Sequence, residues 1–86
     1  MKAFTYTISD ELGIHARPAG MLVKAARAYG DTTITVCCGD RSARAGQLLG
    51  LMSLGVKQGD TVTVTAEGPQ EAEAIAAMEA VMREKL

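Results

Sequence analysis

Thr61-Val62-Thr63-Val64-Thr65-Ala66 is the stretch on which the fold turns. Threonines and small aliphatic residues alternate strictly, so one face of an extended chain is polar and the other apolar. That is the pattern of a half-buried strand. All eight threonines fall in three such windows, residues 5–7, 32–35 and 61–65. Phe4, Tyr6 and Ile8 alternate with Thr5 and Thr7, and Ile34 and Val36 with Thr33 and Thr35. Three strands with the same sidedness predict an antiparallel or mixed sheet that is wet on its threonine face and covered on the other. A weaker strand over Arg41–Ala45 returns from Val36 through a turn at Gly39-Asp40.

The segments between the strands repeat every three to four residues. Over 16–29, Ala19, Leu22, Val23, Ala26 and Tyr29 form one apolar face, Pro18 sits in the first turn and Gly30 follows as a left-handed stop. Over 69–84, Pro69 opens a helix with Glu71 and Glu73 in its first turn and an apolar stripe of Ile75, Met78 and Met82. Glu79 and Arg83 form an i, i+4 pair. A short helix is expected from Gln47 to Met52, closed by Leu54-Gly55. The predicted order is β-α-β-β-α-β-α. This is a single α/β (α+β) domain spanning residues 1–86, an open-faced sandwich with helices over the aliphatic face of a four-stranded sheet.

Composition narrows the chemistry. A chain of 86 residues has room for one core. Its net charge of −1 argues against nucleic acid as a partner. Aromatic residues are limited to Phe4, Tyr6 and Tyr29, so the core must be aliphatic. Cys37 and Cys38 are sequence neighbours and cannot staple the fold, and on a strand they face opposite ways. With no further cysteine pair and a single histidine, no metal site or cofactor motif is expected. No signal peptide or membrane-spanning run is apparent, and a reduced, cytoplasmic setting is expected.

The one histidine, His15, lies in Gly13-Ile14-His15-Ala16-Arg17-Pro18-Ala19, at or just before the start of the first long helix. Backbone N–H groups there have no intrahelical partner, and the helix dipole adds positive potential. A phosphoryl group on the ring would meet donors already aimed at it. Arg17 adds a guanidinium suited to phosphate oxygens. On spacing alone, a single histidine near a helix start is more often an ordinary capping or surface residue.

The segments GIHARPAGMLVKAA (13–26) and GLMSLGVKQGD (50–60) together resemble HPr, the histidine phosphocarrier family of the bacterial phosphoenolpyruvate:sugar phosphotransferase system. The likeness covers essentially the whole chain. It implies an antiparallel four-stranded sheet with three helices on one face. It implies phosphorylation of His15 at Nδ1 by Enzyme I, transfer to sugar-specific EIIA proteins, and stabilisation of the phosphoryl group by Arg17. The protein is then a relay component without cofactor, not an enzyme in its own right, and a monomer is expected. A regulatory paralogue, such as a nitrogen-branch carrier or a transcription-factor adaptor, is the alternative.

Partner contacts are expected at Gly20, Lys24, Arg27, Leu48, Leu49 and Met52. Arg17, Lys24 and Arg27 share one helix face and suit acidic partner surfaces. Of the three apolar residues, Leu48 is expected to be the most exposed, with some of the others turned into the core. The chain departs from the family at Gln47, where Gram-positive members carry a regulatory serine, so the serine switch of the HPr kinase/phosphorylase has no hydroxyl to act on.

Overall fold

A computed structural model describes residues 1–86. The elements run β1 (Lys2–Thr7), α1 (Ala16–Arg27), β2 (Thr33–Cys38), β3 (Arg41–Arg44), α2 (Leu48–Ser53), β4 (Thr61–Glu67) and α3 (Glu71–Lys85). The sheet order is β1-β4-β2-β3 and every neighbouring pair is antiparallel. The predicted βαββαβα order and the antiparallel sheet are both present.

Register explains why the threonine strands sort as they do. Val64 stands opposite Phe4 on one side and Val36 on the other, and Val36 in turn opposite Ala43. This row belongs to the covered face, where Val36, Val62, Val64 and Ala66 have no exposed surface. Burying each of these valines stabilises the fold by about 1.5–3 kcal/mol before chain entropy is charged. The opposite row, Thr5, Thr63, Cys37 and Ser42, faces outward, and the Thr7 and Thr61 hydroxyls share a 2.9 Å hydrogen bond across the β1–β4 pair. Cys38 is buried and Cys37 half-buried, as their alternation requires.

α1 covers the sheet with Pro18, Ala19, Leu22, Val23 and Ala26, and α3 with Ala74, Met78 and Met82. Ala74 stands where Ile75 was expected. The spacing 74, 78, 82 keeps one row over the sheet, and Ile75 packs half-buried at its edge. Helix ends differ from the expected ones by one or two residues. α1 ends at Arg27 and closes through turn bonds from Tyr29 N–H to Ala26 C=O (3.1 Å) and Thr32 N–H to Tyr29 C=O (3.0 Å). Gly30 is therefore not the left-handed stop, and its φ is not positive. α3 starts at Glu71, not at Pro69, because the Pro69-Gln70 turn is held by other partners. The Gln70 N–H donates to the Thr32 hydroxyl at 3.1 Å, and the Glu71 N–H to the Gly68 carbonyl at 3.2 Å. Thr32, counted with the strand threonines in the sequence, is thus a buried anchor just ahead of β2. β3 stops at Arg44, one residue short of Ala45, and α2 starts at Leu48, with Gln47 as its N-cap residue. No helix is long and apolar enough to cross a membrane.

Candidate functional site

The loop between β1 and α1 is fastened from two sides. Below it, the Gly59 N–H donates to the Ile8 carbonyl (2.8 Å) and the Gln58 side-chain amide to the Ser9 carbonyl (3.1 Å). On the other side, the N–H groups of Ser9 and Asp10 both donate to the Leu86 carbonyl, at 2.7 and 2.9 Å. Gly13 follows with φ +66°, a conformation that costs other residues dearly. A Cβ there would clash with the Val56 carbonyl oxygen. That close approach lets the Ile14 N–H reach the same oxygen at 3.3 Å and seats Ile14 in the core. The backbone on both sides of His15 is thereby fixed.

His15 is the N-cap residue of α1, with extended backbone (φ −103°, ψ −178°) and no capping bond from its side chain. Its carbonyl accepts the first helical bond, from the Ala19 N–H at 3.0 Å. Pro18 has no N–H to give. The N–H groups of Ala16 and Arg17 have no backbone or side-chain acceptor. Two free donors thus sit at the positive end of a helix, directly after a half-exposed imidazole, which suits an anion. Arg17 is exposed, with its guanidinium in neither an ion pair nor an internal hydrogen bond. The Nε2 of His15 lies 3.6 Å from Oδ2 of Asp10, a neighbour that the sequence reading passed over.

Several large apolar side chains are exposed. Leu49 is 77% exposed, Met52 40% and Leu48 39%, so Leu49 and not Leu48 is the most exposed of the three. None of them turns inward. At i, i+1 and i+4 they fall within one face of so short a helix, and Leu51 alone fills the core side of α2. Leu12, 72% exposed, and Met21, 41% exposed, were not anticipated. Met21 was legible as the residue one turn after Arg17 on the same face; Leu12 had only the weak signal of a lone apolar residue in a polar loop.

Lys24 and Arg27 are exposed on α1 as expected. Arg27 also donates from Nε and Nη2 to the Gly46 carbonyl at 3.3 and 3.1 Å, so it ties α1 to the start of α2. Gly20 has open space where a Cβ would stand, so nothing inside the molecule requires a glycine there. Gln47 is exposed and gives no capping bond to α2.

Known proteins share this sequence pattern and this fold. The family model described as "PTS HPr component phosphorylation site" matches residues 2–84. The phosphocarrier protein HPr of Vibrio cholerae is 45% identical over 75 residues, which cover 87% of each chain. That of Mycoplasma genitalium is 37% identical over 82 residues, covering 95% of this chain and 93% of its own. Among solved structures, a histidine-containing phosphocarrier protein from Mycoplasma superposes with a TM-score of 0.93 at 29% identity, over 96% of this chain and 93% of that one. HPr from Thermoanaerobacter tengcongensis gives 0.91 at 39% identity, over 99% and 94%. With its fold and nearly its whole length accounted for, the chain belongs to the HPr family of phosphocarrier proteins of the phosphotransferase system.

Proposed function

We propose that this single-domain protein accepts a phosphoryl group on Nδ1 of His15 from Enzyme I, the group deriving from phosphoenolpyruvate, and passes it to sugar-specific EIIA proteins. The observation that carries the reading is the pairing of a half-exposed imidazole with two unpartnered N–H groups at the start of α1 and an unpaired Arg17 beside them. Those groups oppose the charge of a bound phosphoryl group without any change of fold. Gly20, Lys24, Arg27, Leu48, Leu49 and Met52 form the docking surface in this reading, now joined by Leu12 and Met21. The open space over Gly20 lets a partner approach the helix backbone closely. The protein works in the cytoplasm as a monomer, needs no cofactor and turns over no substrate unaided.

Incubation with Enzyme I and labelled phosphoenolpyruvate tests this directly. Acid-labile label on the wild type and none on His15→Ala is the expected result. Label that persists in His15→Ala would overturn it. Gln47 bears on the second reading, a regulatory paralogue, because it removes the hydroxyl that an HPr kinase would use. A phosphorylated protein that supplied no EIIA would favour the paralogue.

A further inference from the structure

The geometry points to Asp10 as a positioning residue for the phosphoryl transfer, holding the His15 ring in the one tautomer that can react through Nδ1. The inference rests on the proposed role of His15 as phosphoryl acceptor. A neutral imidazole carries its proton on one nitrogen and its lone pair on the other, so attack by Nδ1 requires the proton to be on Nε2. An ionised carboxylate only accepts hydrogen bonds. Oδ2 of Asp10 lies 3.6 Å from Nε2, longer than a hydrogen bond but close enough for its charge to favour a proton there.

Asp10 is itself held for the task. Its Oδ1 accepts the Leu12 N–H at 2.8 Å, its carbonyl accepts the Gly13 N–H at 3.0 Å, and its own N–H donates to Leu86. One carboxylate oxygen shapes the loop while the other faces the ring. With Nε2 turned toward Asp10, Nδ1, the ring nitrogen bonded nearest the backbone, is left for the phosphoryl group.

The transfer balances without moving a proton. The Nδ1 lone pair forms the bond to phosphorus as the bond from phosphorus to phosphorylated Enzyme I breaks, and that electron pair returns to the donor atom. Nε2 keeps its proton, so the ring gains positive charge, and Asp10 faces that charge as it develops. In the onward step the acceptor's lone pair binds phosphorus and the Nδ1–P pair returns to the ring.

Asp10→Asn separates the two duties. Its side-chain oxygen can still accept from the Leu12 N–H, but the carboxylate facing Nε2 is gone. Nitrogen NMR of the neutral ring in the free protein should show the Nε2–H tautomer dominant in the wild type and a mixture in Asp10→Asn. The single-turnover rate of phosphorylation by Enzyme I should fall about 10-fold, with KM for Enzyme I unchanged. Asp10→Glu should recover part of the rate. An unchanged tautomer ratio and rate in Asp10→Asn would overturn the assignment. So would a rate loss accompanied by loss of the Leu12 turn, seen as a shifted Leu12 amide resonance, because the role would then be purely structural. A wild type that Enzyme I fails to phosphorylate would defeat the carrier reading instead, and the tautomer measurement would still report on Asp10.

Discussion

At Gly13 and Arg17 two neighbours of His15 do opposite kinds of work, and substitution should separate them. Gly13→Ala forces a Cβ against the Val56 carbonyl in a backbone conformation already unfavourable for alanine. It should destabilise the protein by about 2–4 kcal/mol, read from chemical denaturation. Because the Gly13–Val56 approach seats the His15 loop, phosphoryl transfer should fall even under conditions where the variant remains folded. Arg17→Ala removes a side chain that touches nothing charged in the free protein. Its denaturation midpoint should stay at the wild-type value while phosphoryl transfer drops about 10–100-fold. A loss of stability equal to that of Gly13→Ala would show that Arg17 packs rather than holds phosphate. His15 and Arg17 were visible in the sequence because residue type at a helix start suggested an anion site and the family resemblance singled it out. The sequence did not announce Asp10, whose part depends on a loop path set by hydrogen bonds from Leu12, Gly13 and the distant Leu86.

At the level of elements, the strands were legible and the helix boundaries less so. Alternating threonines carry their own sidedness, so β1, β2 and β4 could be read without knowing their partners. The starts and stops of α1 and α3 are set instead by tertiary bonds such as that from Gln70 N–H to the Thr32 hydroxyl, 38 residues apart. Thr32→Val, which keeps the shape and removes the acceptor, should cost about 1–3 kcal/mol in denaturation, and hydrogen exchange should show the Gln70 amide losing protection.

The start of α3 has a second tie, sensitive to pH. The Met1 ammonium lies 2.9 Å from Glu71 Oε2, and the Gly68 N–H donates to Oε1 at 3.4 Å. The ammonium first, and then the Gly68 bond, hold the Glu71 carboxyl below its ordinary value of 4.5. A carboxylate whose pKa is depressed by folding contributes stability at pH above that ordinary value. The contribution is lost as the pH falls below 4.5 and through the depressed folded value. Glu71→Gln should therefore lower the urea midpoint slightly at pH 7, and the difference from wild type should vanish in the acid range. A difference that persists unchanged at the lowest pH would mean that the ionised carboxylate is not its source.

Over the whole molecule, the fold divides the apolar residues of α2 between core and surface in a way that sequence alone could not assign. Six residues carry four large apolar side chains, and any helix reading must send some inward. Only the packing of α2 against α1 and β3 shows that Leu51 suffices for the core, leaving Leu48, Leu49 and Met52 outward. The only charged residues of α1 are basic, Arg17, Lys24 and Arg27, while Glu71, Glu73, Glu79 and Glu84 lie on α3, so a near-neutral chain still carries one wholly basic helix. Two adjacent sites on one short helix should then respond in opposite ways. Leu51→Ala should cost about 2–5 kcal/mol of stability through the cavity it leaves. Leu49→Ser should change stability by no more than about 0.5 kcal/mol. Yet it should raise KM for phosphoryl exchange with Enzyme I by about 10-fold, as expected when an apolar anchor leaves the centre of an interface. Lys24→Ala should instead lower kcat/KM most at low ionic strength and progressively less as salt screens the approach. If Leu49→Ser left exchange kinetics untouched while Leu51→Ala destabilised the protein as expected, the exposed leucine would be surface without function, and docking would have to rest on the basic face of α1 alone.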